Sequence, residues 1–509
     1  MPASPVTIES QDPRFDALKR GRNFRFPATE SDTASRILLC SNAAETAEGL
    51  QRVVAAGLRP TVRSGNHCYE DFVVNNPHGA IIDLSLHNTI DSGPSGRSIR
   101  IAPGATLGEV YAGLYKRYLL TIPGGTCATV GSGGHISGGG YGLLSRLYGL
   151  TCDWITGVDI LTVDVNGKVV EHQTDKSHNA DLFRACRGAG GGNFGVITNF
   201  YFDKLPPAPR EVAETSMSIP WSSLDEAKFT KFLIAYGDYW EGRAKDRDTW
   251  GLFTILDISP ANGGNGRIGM GVQFCNPDGT ASDLSVLHEF FGRFAEFNPV
   301  FGQRGGGGGG PRRDVPPVAG IQDPNMATRR PWIDATVGGG GGGGQRAKYK
   351  SAYMKQSFTP SECSAIYRFM NSPDLNQGGG ILAIDSYGGA INNPDRVLDT
   401  SIAQRSSVMK LQYLCYWRDK DQDAARIKSM DDFYTAVYSG PEVPDEYKGT
   451  PFGPRYQGCY MNYPDVDMTR YSHWPQLFYG NGDLYPFLQR VKKQYDPNNI
   501  FHSSMSVRT

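Results

Sequence analysis

Two glycine-rich stretches each carry a side chain able to bond covalently to a ligand. The first, Arg63-Ser64-Gly65-Asn66-His67-Cys68-Tyr69-Glu70-Asp71, presents a histidine. The second runs from Pro123 to Gly142 and presents Cys127 among Gly124, Gly125, Gly131, Gly133, Gly134, Gly138, Gly139 and Gly140. Glycine lets backbone approach a ligand closely and turn its N–H groups toward phosphate oxygens. Imidazole and thiolate in that setting are nucleophiles. A glycine loop alone is usually a turn cluster, and a lone cysteine is usually packing. Two loops with two nucleophiles point to chemistry.

The elements that must position these loops read as an α/β unit. Arg36–Cys40 has the pattern of a strand, and Asn42 then caps a helix with Glu45 as capping-box partner. Ala47, Leu50, Val53 and Val54 form its apolar stripe, and Gly57 ends it. A second strand, Arg59–Arg63, leads straight into the first loop, where ligands usually bind in such sheets. Strands follow at Ala80–Leu84 and Ser98–Ile101, with an amphipathic helix from Leu107 to Tyr118. The glycine spacing does not open a helix as a Rossmann fingerprint does, and no acidic residue follows about 20 positions on. Val158–Val170 reads as a hairpin turning at Asn166-Gly167. A third glycine-rich segment, Arg187–Thr198, leads into another strand.

Composition shifts at Leu205-Pro206-Pro207-Ala208-Pro209, which predicts a domain boundary. Beyond it, Trp250–Leu256 and Ile268–Phe274 read as antiparallel strands, the latter alternating large apolar with small or polar residues, and Ser282–Glu296 as helical. Lys348 and Lys350 fall on a further strand and are expected to be ordinary solvated lysines, although one could tune a catalytic base. The pure glycine runs Gly305–Gly310 and Gly338–Gly344 cannot bury anything and are expected to be disordered or linker-like.

With 509 residues, 39% hydrophobic and 20% charged, the chain has material for roughly two to four ordinary globular domains. A net charge of −1 gives no reason to expect nucleic acid or an anionic membrane as partner. No apolar run reaches the ~18–20 residues of a membrane span. The first ten residues lack the basic and apolar regions of a secretion signal, and nine scattered cysteines do not form a disulfide framework. A cytoplasmic bacterial enzyme with reduced thiols is expected.

The two loops, the third glycine segment and the C-terminal Tyr495–Phe501 resemble the berberine-bridge-enzyme-like FAD-linked oxidases, of the vanillyl-alcohol-oxidase superfamily. The resemblance covers nearly the whole chain and is nearest to actinobacterial antibiotic-tailoring oxidases. It implies an α+β fold of two domains: an FAD-binding domain of two α/β subdomains, and a substrate domain with a large antiparallel sheet backed by helices. The expected bounds are 1–207 for the FAD-binding domain, 208–450 for the substrate domain and 451–509 for a segment returning to the FAD domain. It further implies FAD attached twice, through the 8α carbon to His67 and through C6 to Cys127. Arg63, Ser64, Gly65, Asn66, Thr129, Val130, Gly131, Gly133, Gly134, His135, Gly138, Gly142, Gly195, Val196 and Asn462 would surround it. One departure stands out: Asn66 replaces a customary glycine, and asparagine is the next most tolerant of positive φ.

Gly458-Cys459-Tyr460-Met461-Asn462-Tyr463-Pro464-Asp465 resembles the family's segment whose second tyrosine abstracts a proton. Tyr463 is therefore the implied base, with Tyr387 and Tyr141 as further catalytic tyrosines and Tyr460 and Tyr479 near the substrate. Most of the 25 tyrosines must simply pack, so position inside a motif carries these assignments. A tyrosine has a pKa near 10, so a base at neutral pH needs donors or a cation that favour phenolate. The implied reaction is oxidation of an alcohol on a bulky secondary metabolite to a carbonyl, or onward to an acid, with O2 reduced to hydrogen peroxide. The alternatives are an oligosaccharide or hexose oxidase acting at the anomeric carbon, oxidative ring closure at an N-methyl group, and a drug-binding resistance flavoprotein. Metal ions have no expected role.

Overall fold

The computed structural model describes residues 4–93, 96, 98–263, 266–302, 327–337, 344–372 and 380–509. The glycine runs 305–310 and 338–343 lie outside the described residues.

The first sheet contains β1 (Val6–Glu9), β2 (Arg36–Leu39), β3 (Pro60–Arg63) and β4 (Ala80–Asp83), in the order β1-β2-β4-β3. β2, β4 and β3 run parallel, and β1 joins antiparallel at the edge. Parallel pairing needs a crossover, which the helix Ala43–Ala55 supplies. Asn42 caps it by accepting from the Glu45 N–H. The Glu45 carboxylate turns to the Ser41 N–H and hydroxyl instead of completing a capping box on Asn42. All four residues of β4 are buried, as in a strand covered on both faces. β3 ends at Arg63, whose guanidinium pairs with Asp83 at 2.6 Å. The first glycine loop thus leaves the carboxyl edge of a parallel sheet.

The second sheet contains β5 (Ile90–Ser92), β6 (Ile99–Ile101), β7 (Gly157–Val163), β8 (Val169–Thr174) and β9 (Val196–Phe202), all antiparallel, in the order β5-β6-β9-β7-β8. β7 and β8 form the predicted hairpin, with Gly167 at φ 78 in its turn. The helix Leu107–Tyr118 opens on a Thr106–Glu109 capping box, and its first turn pins the second glycine loop: the Leu107 and Gly108 N–H groups donate to Val130 and Ala128 carbonyls.

The third sheet is antiparallel throughout: β10 (Glu211–Pro220), β11 (Leu252–Ile258), β12 (Arg267–Phe274), β13 (Val300–Gly302), β14 (Thr328–Pro331), β15 (Arg346–Met354), β16 (Gly380–Ser386) and β17 (Met409–Trp417). The order is β13-β10-β12-β11-β16-β17-β15, with β14 also on β10. β12 buries Ile268, Met270 and Val272 and leaves Gly269 and Gly271 partly exposed, as its alternation required. The expected helix 282–296 is shorter, Ser285–Gly292, followed by a separate turn at Ala295–Phe297. The helices Glu226–Gly242, Pro360–Met370 and Asp423–Val437 pack together, and the last of them lies against β15 and β17. The fold is therefore two-domain α+β.

Register decides which side chains share a face. Ile255, Asp385, Lys410 and Tyr353 stand opposite one another across β11, β16, β17 and β15, so they project to one side. Lys348 and Lys350 project to the other. Near the chain's end, Lys492 in the helix Leu484–Tyr495 is buried, bonded to Asp496 and to the Asn193 carbonyl. The Val507 N–H also reaches Asn193, so the C-terminal segment clasps the third glycine-rich stretch.

Candidate active site

A cavity of about 560 Å³ opens between the three glycine-rich segments, the face of the third sheet carrying Asp385, and the segment Tyr460–Pro464. Its walls include Arg63 to Tyr69, Gly125 to Cys127, Gly190 to Asn193, Phe253, Ile255, Asp257, Asp385, Gln412 and Leu414. The two nucleophile loops touch through glycine. A Cβ on Gly65 would lie 2.1 Å from the Gly131 nitrogen, and one on Gly131 would lie 2.1 Å from Ser64 Oγ. Real side chains never approach so closely, so both positions require glycine. Asn66 adopts φ 63, the left-handed conformation its glycine counterpart would take, and its amide donates to the Arg20 carbonyl. The N–H groups of Gly65, Asn66 and His67 have no acceptor among the described residues. They form a row of donors on the cavity wall.

His67 and Cys127 meet through Thr129. The Thr129 hydroxyl is 3.0 Å from His67 Nε2 and 3.4 Å from Cys127 Sγ. Burial, with the Arg22 charge adding to it, pulls the His67 pKa down to about 4. His67 is thus a neutral imidazole at neutral pH. His135 is pulled down to about 4, by burial first and by the Lys410 charge second, and its Nε2 accepts the Gly125 N–H at 3.0 Å. That bond props the second loop.

Asn462 holds backbone: its amide donates to the His135 carbonyl at 3.0 Å and to the Tyr460 hydroxyl at 3.3 Å. A Cβ on Gly138 would lie 2.0 Å from Asn462 Oδ1, so the segment before Tyr463 seats directly on the second glycine loop. Tyr463 reaches the cavity wall. Burial, then the Asp385 charge, pushes its phenol well up from 10. Lys410 lies beside it: its ammonium donates to the Tyr463 hydroxyl at 3.3 Å and pairs with Asp385 at 2.7 Å. It also lies 4.4 Å from the ring centres of both Tyr463 and Tyr141. Lys410 and Asp385 carry no motif, and their strands gave no sign in the sequence of which face would meet the site.

The remaining tyrosines divide. Tyr460 and Tyr141 line the cavity, but the Tyr141 hydroxyl is committed to the Ser386 carbonyl at 2.5 Å. Tyr387 is not on the wall: it is 1% exposed, packs against Tyr141 and Tyr353, and donates to the Gln404 carbonyl at 3.0 Å. Tyr479 donates to the Ala189 carbonyl at 3.2 Å and supports the third glycine segment from behind. Gly142, Gly195, Gly133, Gly134 and Val130 line the cavity, whereas Gly138, Thr129 and Val196 stand behind it.

The solvated-lysine reading of Lys348 and Lys350 is overturned. Both are fully buried. Lys348 bonds Glu70 at 2.7 Å, Asp465 at 2.7 Å and Asp467 at 3.0 Å; Lys350 bonds Asp465, Asp467 and Asp431. The carboxylates come from the first loop, the Tyr463 segment and a helix, distant stretches that only the folded chain brings together around the edge strand β15.

The chain is similar to known proteins over nearly all of its length. Residues 34–173 match the FAD binding domain model, and residues 459–508 match the model for berberine and berberine-like proteins. Over 99% of its length the chain is 30% identical to aclacinomycin-N/aclacinomycin-A oxidase of Streptomyces galilaeus, covering 90% of that protein, and 32% identical to hexose oxidase of Chondrus crispus, covering 95%. The chain belongs to the berberine-bridge-like FAD-linked oxidases. Among solved structures, this family member superposes on a glycopeptide hexose oxidase complexed with teicoplanin with a TM-score of 0.86, at 30% identity and with complete coverage of both chains. Aclacinomycin oxidoreductase gives the same TM-score at 28% identity, covering 99% of this chain and all of the other. As a member of this family it is an FAD-dependent oxidoreductase. The residues fit the cofactor: a donor row without acceptors, glycines that exclude side chains, and two nucleophiles on one cavity. No helix among the described residues is long and apolar enough to cross a membrane.

Proposed function

We propose that this protein oxidises an alcohol carbon of a bulky small molecule to a carbonyl, with O2 as final acceptor and hydrogen peroxide as product. The bound flavin supplies the hydride acceptor. His67 and Cys127 would hold it by bonds to the 8α carbon and C6, and the donor row at Gly65–His67 would face its anionic part.

The observation that carries the reading is the contact of Lys410 with Tyr463. At rest the three groups are a neutral phenol, an ammonium and a carboxylate. Loss of the Tyr463 proton to solvent at the cavity wall leaves a phenolate beside the ammonium, which already donates to its oxygen. The phenolate so formed keeps a cation at its oxygen and over its ring. It then takes the substrate hydroxyl proton while hydride leaves the carbon.

The walls favour a large substrate with an apolar body, through Phe253, Ile255, Leu143 and Leu414. A sugar oxidase is the second reading. It is favoured by Asp257 and Gln412, polar side chains on the same wall, and by the likeness to hexose oxidase. Peroxide production with metabolite alcohols and with oligosaccharides separates the two, and turnover with neither would sink both in favour of a binding flavoprotein. Mass spectrometry of the denatured chain tests the attachment: FAD retained on peptides containing His67 and Cys127 is expected, and flavin released on denaturation overturns it.

A further inference from the structure

We propose that Thr129 is the positioning residue for both flavin attachments, its single hydroxyl setting the tautomer of His67 and the aim of Cys127. This rests on the doubly attached cofactor proposed above.

A hydroxyl has one proton and two lone pairs. A neutral imidazole has one N–H and one lone pair, and His67 is neutral because burial draws its pKa to about 4. His67 Nε2 lies 3.0 Å from Thr129 Oγ1, a contact open to either tautomer; in the arrangement proposed, Nε2–H donates to that oxygen. The lone pair then lies on Nδ1, free for a carbon electrophile. Cys127 Sγ lies 3.4 Å from the same oxygen, and in this arrangement the Thr129 hydroxyl proton turns to it. One side chain thereby fixes both nucleophiles on the wall of one cavity.

The backbone is arranged to hold this side chain still. The Val130 N–H closes a turn onto the Cys127 carbonyl, which places Thr129 beside the thiol. The Ala128 and Val130 carbonyls on either side accept from the first turn of the helix Leu107–Tyr118. Thr129 itself is absent from the cavity wall, so its hydroxyl acts on the nucleophiles and not on the ligand.

Each attachment balances in the same way. One hydrogen leaves the protein atom, imidazole N–H or thiol S–H, and one leaves the flavin carbon, the 8α methyl or C6. A single N–C or S–C bond replaces them. The two electrons and two protons pass to the isoalloxazine and from it to O2, which leaves as hydrogen peroxide. When Nδ1 bonds to carbon, the proton on Nε2 becomes the one to be lost, and Thr129 Oγ1 is the atom that receives its hydrogen bond.

The test is the flavin content of intact, acid-denatured chains by mass spectrometry, with peptide mapping of His67 and Cys127, on wild type, Thr129→Val and Thr129→Ser. Valine keeps the shape and removes the hydroxyl; serine keeps the hydroxyl. The valine variant is expected to lower the doubly attached fraction roughly tenfold, the worth of one orienting hydrogen bond. Its melting temperature should stay at the wild-type value, and serine should restore attachment. If valine does not fold, Thr129→Ala takes its place. Complete double attachment without the hydroxyl overturns the proposal, as does failure of serine to rescue. A wild-type chain with no covalent flavin is a different result: it removes the attachment reading itself and this proposal with it.

Discussion

The Lys410 ammonium lies 3.3 Å from the Tyr463 hydroxyl and 4.4 Å from the centre of its ring, so one cation meets both the edge and the face of the phenol. Burial drives that phenol toward its neutral form. In the proposed mechanism the Lys410 ammonium is the cation that stands beside the ionised form.

Two variants separate these roles. Tyr463→Phe removes the proton acceptor and should slow flavin reduction by about 10²–10⁴, with the flavin spectrum intact. Lys410→Met removes a charge-assisted bond worth about 1.5–3 kcal/mol and should slow reduction roughly 10- to 100-fold. It should also move the pH profile of reduction upward. Stopped-flow reduction under anaerobic conditions reads both; wild-type rates in Tyr463→Phe would remove it from the mechanism.

Gly65→Ala should abolish flavin retention. Its Cβ would sit 2.1 Å from the Gly131 nitrogen, a backbone atom that cannot swing aside. The absorbance ratio of purified protein at 450 and 280 nm measures the outcome, the wavelengths being those of roughly any flavin and protein chromophore. A normal ratio would show that the loops can separate.

Lys348→Met should cost stability more than it costs chemistry. It leaves Glu70 buried without its cation and Asp465 with Lys350 alone, a loss of about 3–5 kcal/mol for breaking such a pair. Thermal unfolding should report a large drop. An unchanged melting temperature would mean that Lys350 and water cover both carboxylates.

His87 and His135 both have pKa values drawn from 6.5 down to about 4, chiefly by burial. Between those values the unfolded chain binds more protons than the folded one. Stability therefore holds above pH 6.5 and falls as pH drops toward 4. Melting temperatures across that window check the sign, and His135→Asn should flatten the slope.

Much of the fold was legible. Asn42, the 36–40 and 59–63 strands and the Asn166-Gly167 turn follow local rules, and local rules survive folding. The alternation of Ile268–Phe274 likewise matches the burial of Ile268, Met270, Val272 and Phe274, whereas Gln273 is buried against it. Lys348 and Lys350 were misread because their partners, Glu70, Asp431, Asp465 and Asp467, lie tens to hundreds of residues away. A lysine in a strand is solvated unless carboxylates meet it, and no local pattern records that meeting.

The sequence by itself determined the chemistry-bearing loops, because glycine, a nucleophile and a left-handed asparagine are constraints within a few residues. It also determined the family, through motifs in fixed order. Only the tertiary structure decided that Thr129 links the two nucleophiles, that Tyr387 stands behind the cavity, and that Lys410 with Asp385 attends Tyr463. Those facts depend on cross-strand register and on which face of a sheet meets the site, quantities set by packing between distant segments.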